Sequence, residues 1–301
     1  MTLQQQQILT LKKEKSALIL AHYYQTTDIQ AIADHVCDSF ELARRASLAS
    51  EKILVICGVR FMAESAKILS PDKTVLLPVP DAGCPMADMI EPQDVLKLRQ
   101  KYPEAAVVCY VNSSAAVKAV SDICCTSSSA VQIVRSLPHQ QILFVPDRNL
   151  GAYVAKQVPE KEIILFSGCC PIHHQVTVED IQTARRAHPQ AQVLMHPECR
   201  PEVLAHADYI GSTAGIIDTA LHSSAKSFLI ATEQEITELL AIRAPHKEFY
   251  RVNTHFICPD MKKNRLTDIA DSLIHMQFEI KMTSEDLTAA ALSLRRMVEG
   301  W

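Results

Sequence analysis

Three Cys-Pro pairs divide the chain almost evenly: Cys84-Pro85, Cys170-Pro171 and Cys258-Pro259, 86 and 88 residues apart. Thiols repeated in one register can meet on a pseudo-threefold axis. Three converging thiolates hold a metal or a cluster with one coordination position left open. A second register carries polar pairs: His22 with Tyr24, Tyr110 with Asn112, and His196 with Glu198. Alternate residues of a strand face the same way, so each pair presents two polar groups together. Such groups suit acid–base work near neutral pH. A third register places the hydroxyls Ser39, Ser127 and Thr213 where helices should begin, with Ser128 and Ser212 beside them. Each alone would be an ordinary helix cap, but three helix N-termini on one axis would attract a carboxylate or phosphate.

A lone cysteine is more often a small buried hydrophobe than a ligand. Identical placement in three repeats, each followed by proline, reverses that for Cys84, Cys170 and Cys258. Cys37, Cys57, Cys109, Cys124, Cys125 and Cys199 lack the symmetry and are assigned to the core, and the register selects Cys170 over its neighbour Cys169. Zinc with three cysteines and a water is one reading, but the paired C-x-x-C spacing of zinc sites is absent. An iron–sulfur cluster normally takes four cysteines; with three, one iron keeps an exchangeable site and can act as a Lewis acid on a substrate oxygen.

These groups need a scaffold that repeats with them. Asp34, Asp122 and Asp208 fall 88 and 86 residues apart, in the same frame as the other sets. Short apolar runs near 17–21, 53–57, 74–79, 107–111, 142–145, 162–166, 193–195 and 227–231 read as buried parallel strands, with a further strand leading up to Cys258. Helical patterns lie between them at 39–49, 61–69, 92–101, 178–187 and 233–242. The expected fold is α/β: three similar three-layer α/β/α domains with short parallel sheets around a pseudo-threefold axis. The expected boundaries are 1–84 with 260–301, 85–170 and 171–259, the two C-terminal helices returning to the first unit.

Composition narrows the function classes. A net charge of −4 without a basic block argues against nucleic acid as a partner. No apolar run reaches the ~18 residues of a membrane span, and no signal-peptide core opens the chain, so a cytoplasmic protein is expected. Adjacent pairs such as Cys124-Cys125 and Cys169-Cys170 suit a disulfide framework poorly and a reducing compartment well. Phosphate-binding glycine motifs are missing, Gly211-Ser-Thr-Ala-Gly215 being too weak to count, and the single Trp301 is terminal and uninformative.

Taken in order, Ala21-His-Tyr-Tyr-Gln25, Asp81-Ala-Gly-Cys-Pro-Met-Ala-Asp88, Tyr110-Val-Asn112, Gly168-Cys-Cys-Pro-Ile-His173, His196-Pro-Glu198, Gly211-Ser-Thr213 and Cys258-Pro-Asp-Met-Lys262 resemble the quinolinate synthase family from about residue 17 to 280. The resemblance implies a central [4Fe–4S] cluster on Cys84, Cys170 and Cys258. It implies condensation of iminoaspartate with dihydroxyacetone phosphate to quinolinate, phosphate and water for NAD biosynthesis. It makes His22, Ser39, Tyr110, Asn112, Ser127, His196, Glu198 and Thr213 substrate contacts, with Tyr24, Glu198, His196 and His22 in acid–base roles. It also implies L-aspartate oxidase as supplier of iminoaspartate, and a monomer or homodimer. Ser129, Ile172 beside His173, and the segment Met261–Leu266 depart from the family pattern. An iron–sulfur sensor or electron carrier would explain the cysteines but not the polar pairs. A zinc-dependent aldolase would share the triose phosphate but not the cluster.

Overall fold

A computed structural model describes residues 1–299; Gly300 and Trp301 lie outside the described residues. The fold is α/β, with three parallel four-stranded sheets alternating with helices. The first sheet holds β1 (Ala17–His22), β2 (His35–Cys37), β3 (Ile53–Cys57) and β4 (Thr74–Leu76). The second holds β5 (Ala106–Tyr110), β6 (Ile123–Cys125), β7 (Gln141–Val145) and β8 (Glu162–Leu165). The third holds β9 (Gln192–Met195), β10 (Tyr209–Ile210), β11 (Ser227–Ala231) and β12 (Glu248–Arg251). In each the spatial order is second, first, third, fourth strand. Every residue of β1 and β5 is buried, as strands covered on both faces by helices must be.

Eight of these strands coincide with the expected apolar runs. The edge strands β2, β6 and β10 were not anticipated; at two or three residues they are too short to carry a periodicity. The strand expected to run up to Cys258 stops at Arg251, and a loop carries the chain on. Gly211 and Gly215 have a local packing reason. A Cβ at either would lie 2.4 or 2.5 Å from Tyr209 Oη, so the tyrosine ring crosses where only glycine fits.

The repeating aspartates are staples inside each unit. The side chains of Asp34, Asp122 and Asp208 accept from the backbone N–H of Ile19 (2.8 Å), Val107 (2.7 Å) and Val193 (2.8 Å), in the first strand of each sheet. Each also meets a cation from the preceding helix: Lys12 at 2.6 Å, Arg99 at 2.8 Å and Arg185 at 2.9 Å. The ion pairs are partly solvated and contribute little; the buried N–H is what matters. Asp122→Ala leaves the Val107 N–H unpaired and is expected to cost about 1–3 kcal/mol in a urea melt, with Asp122→Asn milder because an acceptor oxygen remains.

The C-terminal tail divides between units. Helix Leu266–His275 packs on Leu3–Lys15 of the first unit. Helix Ser284–Glu299 packs instead on helix Ala115–Ala119 and β6 of the second, while also touching Arg60–Leu69 of the first. Its Ala290, Leu294 and Met297, at helical spacing, enter the core shared by the first two sheets. Ser293 Oγ donates to Lys118 O at 2.8 Å beneath them. Among the described residues, no helix is long and apolar enough to cross a membrane.

Candidate active site

Loops leaving the carboxyl ends of the strands in all three sheets line one cavity, the position where open α/β sheets carry their ligands. Cys84, Cys170 and Cys258 line it, as do the polar pairs at 22 and 24, 110 and 112, and 196 and 198, and the hydroxyls at 39, 127 and 213. All twelve residues singled out from the sequence border this one space.

The cysteines sit on loops beyond the fourth strand of each sheet, rather than at strand ends. The proline that follows each one starts a tight turn. The backbone N–H groups of Met86 and Ala87, of His173, and of Asp260 and Met261 turn back to the sulfurs of Cys84, Cys170 and Cys258. Burial nevertheless pushes the Cys84 thiol up to about 12, that of Cys258 to about 11, and that of Cys170 well above its ordinary range. Thiols held protonated at neutral pH are poor nucleophiles, whereas a metal strips the proton on binding, so this trio suits ligation. Among the described residues, the three sulfurs do not all lie within 4.8 Å of one another. Tetrahedral zinc with ~2.3 Å bonds would need them about 3.8 Å apart. Cys170, His173 and Glu198 do form a group with all ligand atoms within 4.8 Å, in keeping with a metal-binding enzyme.

The first and third polar pairs share a local device. Tyr24 N–H donates to His22 Nδ1 at 3.1 Å, and Glu198 N–H donates to His196 Nδ1 at 3.3 Å. With Nδ1 accepting, each neutral ring carries its proton on Nε2; His196 Nε2 lies 3.2 Å from Ser127 Oγ. Burial, with the Lys262 ammonium and the His196 ring behind it, lowers His22 to about 3, and burial lowers His196 to about 4. Burial works against the Glu198 carboxylate, but the His196 and His173 rings and hydrogen bonds from His173 and Tyr110 outweigh it and hold its pKa low. Burial, then the Glu198 charge, raises Tyr24 and Tyr110 well above 10. The cavity thus sets the ionised Glu198 carboxylate among two protonated phenols.

These shifts have a consequence for stability. Both histidine pKa values are lower folded than the ordinary 6.5, so below that pH the unfolded chain binds more protons than the native one. Stability is full above pH 6.5 and falls as the pH drops toward the folded values, by about 2 kcal/mol per histidine between pH 6.5 and 5. Urea midpoints measured across that range should decline steadily; a flat series would contradict the burial of these rings as neutral species.

The hydroxyls are not the helix caps. Asp38 caps the helix that Ser39 opens, and Ser212 caps the one that Thr213 opens, while Ser127 lies in the turn before helix Ala130–Ser136. Ser128 and Ser212 do not line the cavity; Ser128 Oγ bonds Thr126 Oγ1 at 2.8 Å. Asn112 Oδ1 is buried without a partner among the described residues. The six other cysteines assigned to the core are all buried, and Cys169 does not line the cavity.

Three further residues shape the site and were not singled out. Thr232 and Glu233 follow β11, and Lys262 follows Cys258. Lys262 Nζ reaches Tyr24 O at 2.6 Å, Glu233 Oε1 at 2.9 Å and Glu235 Oε1 at 3.3 Å, while Glu233 Oε1 accepts from Cys258 N–H at 3.3 Å. This clasp ties the third cysteine's loop to the Tyr24 loop. A signal existed: Val59, Asp147 and Glu233, each just beyond the third strand of its sheet, also stand 88 and 86 residues apart.

Residues 6–299 match the family model described as quinolinate synthetase A protein. The chain is 52% identical to a quinolinate synthase of Caldicellulosiruptor saccharolyticus over 289 residues, 96% of this chain and 95% of the relative. It is 48% identical to one of Clostridium kluyveri over 96% of this chain and 95% of the relative. A quinolinate synthase 2 of Methanosarcina acetivorans is 48% identical over 97% of this chain and 94% of that protein.

Proposed function

The chain belongs to the quinolinate synthetase A family, enzymes of NAD biosynthesis, and from that premise we propose the reaction it performs. It condenses iminoaspartate, supplied by L-aspartate oxidase, with dihydroxyacetone phosphate to give quinolinate, phosphate and water in the cytosol. The observation that supports this most directly is the convergence of three thiols, three polar pairs and three hydroxyls on one cavity.

A [4Fe–4S] cluster held by Cys84, Cys170 and Cys258 would supply a Lewis-acidic iron toward substrate oxygens. The remaining work falls to side chains. His22 and His196, neutral with Nε2–H donors, hydrogen-bond the anionic oxygens of the substrates, and Ser39, Ser127 and Thr213 add hydroxyl donors. The N-termini of helices Ser39–Leu48 and Thr213–His222 contribute positive dipole ends toward phosphate and carboxylate. Asn112 Oδ1, buried and unpaired, accepts from a substrate N–H or O–H. Glu198, held ionised, takes the proton removed in enolisation. Tyr24, whose phenol stays protonated, returns one to the departing oxygen. The two substrates already carry the oxidation level of the product, so no external redox cofactor is required.

Anaerobic purification with iron and sulfide analysis, followed by assay of quinolinate from the two substrates, tests the reading. Iron and sulfide with product are expected. A colourless protein carrying zinc would point to an aldolase-like lyase, and a cluster-bearing protein without product to an electron carrier or sensor.

A further inference from the structure

Lys118 is among the largest wholly buried side chains, 0% exposed, although its head is cationic. It lies on helix Ala115–Ala119 of the second unit, at the seam with the first. Its Nζ donates to Ser65 Oγ of the first unit at 2.9 Å and to Ser113 O of the second at 2.8 Å. The same ammonium stands over the Phe61 ring, 5.5 Å from its centre. Phe61 lines the central cavity together with Cys84, so one aromatic ring separates the charge from that space. Among the described residues, no carboxylate oxygen lies within ion-pair distance of Lys118. Burial lowers the pKa of this lysine, while Cys124, Glu64, Cys109 and Cys84 act the other way. Glu64 is only half-buried, and its Oε2 is already engaged by Ala115 N–H at 2.9 Å.

A buried cation needs a counter-charge. The cavity's other lysine, Lys262, is taken up by Glu233 at 2.9 Å and Glu235 at 3.3 Å. Three thiolates outnumber the positive charges of an oxidised [4Fe–4S] core, so that assembly is anionic and becomes more so on reduction. Resting on the cluster reading given above, we propose that Lys118 is its counter-ion: the ammonium, fixed behind Phe61 by Ser65 and Ser113, offsets the charge on the Cys84 side and sets the cluster's reduction potential. The turn that carries Tyr110 and Asn112 into the cavity also anchors this charge, because Ser113 Oγ donates to Tyr110 O at 3.0 Å. Removing a nearby positive charge disfavours the more negative, reduced state, so the potential falls when Lys118 is neutralised.

Anaerobic redox titration of the cluster-loaded full chain, followed by electron paramagnetic resonance of the reduced state, reads this directly. Lys118→Gln keeps N–H donors for Ser65 and Ser113 but removes the charge. It is expected to shift the reduction equilibrium roughly tenfold toward the oxidised form, about 59 mV lower for a one-electron couple, with iron and sulfide content unchanged. Ser65→Ala removes a hydrogen bond and leaves the charge, so the wild-type potential is expected. Should the glutamine protein fail to fold, Lys118→Met reads the same loss of charge in an unbranched apolar chain. An unmoved potential in the uncharged variant would overturn the proposal and leave the buried Cys109 thiol as the lysine's counter-charge. A shift in Ser65→Ala as large as that in Lys118→Gln would overturn it in favour of packing. Wild-type protein without iron and sulfide would sink the cluster reading and this inference with it, whereas a bound cluster indifferent to Lys118 would sink this inference alone.

Discussion

Alanine in place of Cys84, Cys170 or Cys258 is expected to abolish both iron–sulfur absorbance and quinolinate formation, while Cys169→Ala retains both. The asymmetry between adjacent cysteines makes this a demanding result. Cys170 faces the cavity, receives the His173 N–H on its sulfur and lies 3.3 Å from His173 Nδ1; Cys169 points elsewhere, its backbone N–H lying against Met89 Sδ. Loss of a Lewis acid is worth several kcal/mol at the transition state, a fall of roughly 10³-fold or more. The scaffold should survive, because removing one sulfur opens a space no larger than a methyl group, costing about 1 kcal/mol. Iron content, visible absorbance and urea midpoint together separate loss of the cluster from loss of the fold. Retention of the cluster in any of the three alanine proteins would refute the ligand set.

The second large effect is expected for Glu198→Gln, which should reduce kcat by about 10²–10⁴-fold while the cluster remains. Glutamine keeps the size and one acceptor oxygen but removes the charge. It also sets an amide against His173 Nδ1 at 2.8 Å and His196 Nδ1 at 3.6 Å. One orientation puts an N–H donor where a carboxylate oxygen accepted, and the other still lacks a base. Asp38 and Glu233 also line the cavity, but Asp38 accepts from the Glu41 N–H of the helix it caps and Glu233 is held by Lys262 and the Cys258 N–H, so neither is placed as Glu198 is. Activity within tenfold of wild type would remove Glu198 from the proton-transfer step.

Much of this was legible in the amino-acid order because the chain contains three versions of itself. Spacing alone brought out the three thiols, the polar pairs and the hydroxyls, and the apolar runs marked eight of twelve strands. What escaped did so for physical reasons. β2, β6 and β10 owe their strand geometry to the neighbour they pair with, as Leu20 with His35 or Val108 with Ile123, and not to a pattern of their own. Glu233 reads as the start of a helix, yet that helix begins at Glu235 because the Glu233 carboxylate is engaged by Lys262 and the Cys258 N–H. Ser39 and Thr213 read as helix starts, but the preceding Asp38 and Ser212 cap those helices, and the Thr213 hydroxyl instead meets Tyr24 Oη at 2.9 Å. The final helix crossed to the second sheet, where its apolar stripe found a partner that a repeat register cannot specify.

The Asp34, Asp122 and Asp208 staples are alike in all three units, and so are the three Cys-Pro turns, whereas the polar pairs read His and Tyr, Tyr and Asn, His and Glu. That contrast follows a rule of symmetry matching. The cubane cluster proposed above for the three cysteines would have a threefold axis through each of its irons, so three equivalent arms could grip it without any of them being special. Two unlike small molecules joining into a flat ring have no such axis, and the groups that handle them must differ from arm to arm. Triplication of one ancestral unit, followed by divergence at the two positions of the polar pair, would leave this record.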